Sequence, residues 1–122
     1  MSRLILILLL PLSAIAQEFV NSSSFENKIA KGITVVEFWA EWNKSNEVSF
    51  LGSLKGCDSY KLSIVKNSGV QKEYKVMAIP TLIIFDNGVE QQRFNPNIMM
   101  QLTATKKEVQ SVINGITLNK FQ

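Results

Sequence analysis

Ile33-Thr34-Val35-Val36-Glu37-Phe38-Trp39-Ala40-Glu41-Trp42 is the stretch on which the reading of this chain turns. It is rich in β-branched and aromatic residues, the composition of a strand. Apolar residues stand at odd and even positions alike, which predicts a central strand covered on both faces by helices. Glu37 interrupts the pattern: it shares a strand face with Ile33, Val35 and Trp39, so a carboxyl is expected under apolar cover. Directly after the strand, Asn43-Lys44-Ser45-Asn46 opens a segment with Val48, Leu51 and Leu54 at helical spacing and Gly56 at its end. A helix is expected from Lys44 to Lys55, and a strand feeding such a helix predicts an α/β domain.

The flanks extend the alternation. Upstream, Ser23 and Glu26 have capping-box spacing, Phe25 and Ile29 share a helical face, and Gly32 suits the helix end. Downstream, Tyr60 to Lys66 reads as a second strand, Ser68 to Tyr74 as a short helix and Thr81 to Phe85 as a third strand. Asp86-Asn87-Gly88 is a hairpin signal, since Asn-Gly takes the positive φ angles of a tight turn. Val89 to Phe94 alternates with polar residues like an edge strand. Thr105 and Glu108 open a last helix whose stripe is Val109, Val112, Ile113 and Ile116. Before it, Pro96 breaks regular structure in the segment from Phe94 to Ala104. Ile98, Met99, Met100 and Leu102 make that segment too apolar for a casual loop. Methionine serves equally as gap filler or as adaptable binding surface, and both roles stay open here.

The 122 residues suffice for one domain. With 46% apolar and 19% charged residues, the composition is that of a globular protein rather than a disordered one. The net charge of +3 is spread out, with no basic run longer than Lys106-Lys107, so no nucleic-acid footprint is present. There is no histidine and one cysteine, Cys57, which removes His-based catalysis and most zinc sites; no metal or cofactor is expected. Residues 1–16 read as a signal peptide: Arg3 is followed by an apolar run from Leu4 to Leu12, then by Ala14-Ile15-Ala16, a small-x-small cleavage site. The run is shorter than the roughly 20 apolar residues a spanning helix needs, so no stable membrane insertion is expected after cleavage. The expectation is an exported domain over 17–122, periplasmic or secreted. In such a compartment Cys57 is either a buried, inert thiol or the site of an intermolecular disulfide that makes a dimer.

Three motifs now resemble the thioredoxin family, and in that family's order. Val36 to Trp42 is similar to the strand entering its active site, Ala78-Ile79-Pro80-Thr81 to its cis-proline loop, and Phe85-Asp86-Asn87-Gly88 to the hairpin that follows. The resemblance covers nearly all of residues 19–116. It implies a thioredoxin-like three-layer sandwich, a central mixed sheet flanked by helices. In the family the position of Trp42 is followed by Cys-Gly-Pro-Cys; here Asn43, Lys44, Ser45 and Asn46 stand there. Dithiol exchange needs an attacking thiolate and a resolving thiol, and an amide supplies neither. The expected role of Asn43 is as the cap of the helix that follows.

Glu37 matches the family's buried acid, and Lys61 the basic residue near it. The pair reads as a surviving proton relay or as a buried ion pair, and with no thiol to serve, the ion pair is the expected role. The resemblance further implies that Pro80 is cis and that the backbone of Ile79 pairs with an extended peptide. Trp42, Ile79, Pro80 and Met77 are the candidate groove, against the plainer reading that Trp42 and Ile79 only pack on the loop. The interval from Asn46 to Tyr60 is shorter than in ordinary thioredoxins, so the second helix is expected to be trimmed. The function expected is a redox-inactive binding or chaperone-like module that grips an extended segment of a protein partner. The alternatives are an oxidoreductase working through Cys57 alone, and an anion site at free backbone N–H groups by Lys44 and Ser45.

Overall fold

The computed structural model describes residues 17–122, so the signal-peptide expectation for 1–16 lies outside the described residues. The elements run α1 (Phe25–Ile29), β1 (Ile33–Trp39), β2 (Asp58–Ser63), α2 (Ser68–Glu73), β3 (Thr81–Asp86), β4 (Val89–Phe94) and α3 (Lys106–Asn119). The sheet order is β2-β1-β3-β4, with β1 parallel to β2 and antiparallel to β3, and β4 antiparallel to β3. It is therefore a mixed sheet with β1, buried at every position, near its centre.

Strand alternation sorts the core into two layers. Val36 and Phe38 of β1 join Phe25, Ile29, Leu62, Val70, Ile83 and Phe85 under α1 and α2. Ile33 and Val35 join Val48, Leu51, Leu54, Leu82, Ile84, Val109 and Ile113 under α3 and the segment that crosses from β1 to β2. This is a three-layer α/β sandwich. The β3–β4 hairpin closes through Asn87 and Gly88, both at positive φ (49° and 83°), and the Asn87 side chain accepts from the Gly32 backbone N–H at 2.8 Å. The capping box at Thr105 and Glu108 is formed in both directions.

Three expectations need correction. There is no helix from Lys44 to Lys55. The segment forms two short 3₁₀ turns, Glu41–Asn46 and Leu51–Ser53, with Glu47 extended between them. The cause is local: the Val48 N–H, which would continue the first turn, instead donates to Glu37 Oε2 at 3.0 Å. Second, β1 ends at Trp39, and β2 begins at Asp58 and ends at Ser63. Third, Ser23 and Glu26 form no capping box. Asn21 Oδ1 accepts from the backbone N–H groups of Ser23 (3.1 Å) and Ser24 (3.0 Å), while Glu26 receives the Tyr74 hydroxyl. An Asx turn ahead of the helix takes the Ser23 N–H that the box would have used.

Candidate functional site

Ala40 leaves β1 in an extended conformation and the chain enters the first 3₁₀ turn. Asn43 sits inside that turn at φ −111°, ψ 23°, not at its N-cap, which corrects the capping role expected for it. Its buried side chain is occupied at both ends. Asn46 Nδ2 donates to Asn43 Oδ1 at 2.9 Å, and Asn43 Nδ2 donates to the Met100 carbonyl at 3.1 Å. The two residues at the family's cysteine positions thus form a hydrogen-bonded chain that reaches the loop before α3. Lys44 and Ser45 are exposed, and the Lys44 carbonyl receives the Glu47 N–H.

That loop is well made. Pro96 and Leu102 bridge it, the Asn97 N–H donates to the Gln101 carbonyl (2.9 Å), and Asn97 Oδ1 accepts from the N–H groups of Met99 and Gln101. Met100 is held at φ 57°. Ile98 and Met99 point to solvent at the tip, so they do not fill the space left by the missing helix.

Trp42, Met77, Ile79 and Met100 line one pocket of about 170 Å³, walled further by Ile64 and Gln71. Of the four groove candidates, Trp42 and Met77 are exposed, at 63% and 90%. Ile79 is buried and serves as floor, and its bond to Pro80 is cis. Pro80 is buried and does not line the pocket, a correction to its place in the groove. Met100 takes that place. Its segment is unusually apolar in the sequence, but nothing local in it shows that the loop returns to Trp42.

Glu37 is fully buried, with Oε1 lacking a hydrogen-bond partner. Lys61 Nζ lies 4.0 Å from that oxygen, sits 4.5 Å from the Trp39 ring centroid, and makes its close ion pair with Glu47. The expected Glu37–Lys61 pair is therefore a loose contact within a cluster of three charges, and no motif points to Glu47 as the third member. Burial pushes the Glu37 carboxyl up to about 7, against the opposing pull of the Val48 N–H and Lys61; Glu47 adds to the rise. Cys57 is a free, half-buried thiol at the edge of the layer under α3, and burial with nearby Asp58 pushes it up to about 11. Among the described residues no group of three or more His, Cys, Asp or Glu is placed to hold a metal ion, and no helix is long and apolar enough to cross a membrane.

No family model matches the chain. Known proteins do. A thioredoxin of Staphylococcus epidermidis is 36% identical over 76 residues, spanning 57% of this chain and 73% of that protein. A thioredoxin of Staphylococcus aureus is 32% identical over the same length and coverage. Among solved structures, a thioredoxin variant from Halobacterium salinarum superposes with a TM-score of 0.65 at 16% identity, covering 81% of this chain and 88% of that one. The mixed sheet, the two helical layers and a sequence identity above 30% across nearly three quarters of a relative agree: the chain belongs to the thioredoxin family.

Proposed function

We propose that this protein is an exported, redox-inactive thioredoxin-fold module that grips an extended polypeptide at the Trp42–Met77–Met100 pocket. The observation that carries the reading is the chain Asn46–Asn43–Met100. Side chains at both cysteine positions are committed to holding an apolar loop beside Trp42, and neither has chemistry for electron transfer. Exposed aromatic and methionine side chains around a small pocket suit adaptable contact with a peptide. Export rests on the N-terminal sequence alone.

The competing oxidoreductase reading depends on Cys57. Its thiol is raised rather than lowered, which leaves little thiolate at neutral pH. Two assays separate the readings. Insulin-disulfide reduction should show no turnover above the Cys57→Ser control; turnover above it would establish the oxidoreductase. Capture of partners from an envelope extract should fail for Trp42→Ala/Met77→Asp, whose positions are exposed and whose fold should survive. Equal capture by that variant and wild type would remove the pocket from the reading.

A further inference from the structure

Three of the chain's four methionines lie within residues 17–122, and none is buried: Met77 is 90% exposed, Met99 68% and Met100 42%. Methionine used as packing filler would be inside. Met77 and Met100 instead line the same pocket as the exposed indole of Trp42, and Met99 adjoins Met100 on the same tight loop. Among the residues lining that pocket there is no charged side chain. Met100 keeps a left-handed backbone that an ordinary side chain disfavours, while its N–H donates to the Asn97 carbonyl and its own carbonyl is held by Asn43. Its thioether is thus presented from an anchored backbone rather than from a loose loop.

The chemistry of this donor set is selective. Calcium, magnesium and other hard ions require clustered oxygen ligands, and no carboxylate side chain lines the pocket. Thioether sulfur is a neutral, polarizable ligand suited to soft monovalent ions. An indole face attracts a cation through its quadrupole. We infer that Met77 and Met100 bind one soft monovalent cation of the Cu(I) or Ag(I) class against Trp42.

Ag(I) nitrate in chloride-free buffer is the probe, because it has no redox chemistry of its own under these conditions. The protein is the chain from Gln17 onward carrying Cys57→Ser, so that no thiol competes. Expected are saturable quenching of tryptophan emission at one equivalent and shifts of the Met77 and Met100 methyl resonances in methyl-labelled protein. Met77→Leu/Met100→Leu keeps volume and apolarity at exposed positions, so its circular dichroism spectrum and urea midpoint should match those of the parent. Its Ag(I) affinity should fall by about tenfold or more, as expected when the ligating sulfurs are gone. No saturable binding by the parent, or equal binding by the double leucine variant, would overturn the inference.

Discussion

Glu37 is a carboxyl with one oxygen satisfied by Val48 and one without a hydrogen-bond partner, in a site closed to water. An unfolded glutamate titrates near 4.5, whereas this one is raised to about 7 in the fold. Between those values the folded chain holds a proton that the unfolded chain has released. The associated stability is fully present below about 4.5 and is lost as pH rises through 7, by as much as ~3 kcal/mol. Glu37→Gln keeps an acceptor for Val48 and removes the ionisation. Urea denaturation at pH 5 and pH 8 should show that difference in the wild type against the variant, with the variant the more stable at pH 8. Identical pH slopes in the two proteins would mean that Glu37 is not the titrating group. The carboxyl under apolar cover was legible from alternation in β1, because strand periodicity is local. The close pairing of Lys61 with Glu47 was not, because that contact depends on how the following segment turns.

At the scale of elements, the segment after β1 departs most from expectation. The apolar spacing of Val48, Leu51 and Leu54 marks a buried stripe, and all three are in the core. The conformation is not helical, because burial needs only side-chain spacing, while a helix also needs its backbone donors, and Glu37 takes one. This has a chemical consequence. A long helix supplies aligned dipoles that depress a thiol at its N-terminus, and a single 3₁₀ turn does not. Asn43→Cys/Asn46→Cys should therefore yield thiols that titrate in the ordinary range near 8.5, read by thiolate absorbance against pH. A thiol titrating near 6 or below would show that the site retains an activating field without the helix. The start of α1 gives a smaller test. Asn21→Ala should cost about 1 kcal/mol of stability, as loss of a helix-entry acceptor does, while Ser23→Ala should cost less because Asn21 still holds both backbone donors. The hairpin and the Thr105 capping box were legible in full, since each is fixed by residues within four positions of one another.

For the whole molecule, the sheet separates two apolar layers, and Cys57 lies at the rim of the one under α3. A rise of about two units in its pKa means roughly a hundredfold less thiolate at a given pH. Alkylation by iodoacetamide at pH 8 should be slower by about that factor in the folded chain than in urea. Non-reducing electrophoresis should accordingly show a monomer. A reductant-sensitive dimer band that vanishes in Cys57→Ser would identify this thiol as an assembly point instead. The family and layer order were legible because three motifs recur in sequence order. The pocket was only half legible, since Trp42 and Met77 could be named from their motifs while Met100 arrives from 57 residues beyond Asn43.

The Asn46–Asn43–Met100 chain also changes how the pocket can be opened. A disulfide at these positions would part only when a partner thiol attacked it, so its state would follow the electron supply of the compartment. Amide hydrogen bonds part and re-form on thermal motion, each at a net cost of about 1 kcal/mol. The loop bearing Met100 can therefore yield to an incoming chain and settle again without any second enzyme, and its hold is set by temperature and solvent rather than by an electron donor.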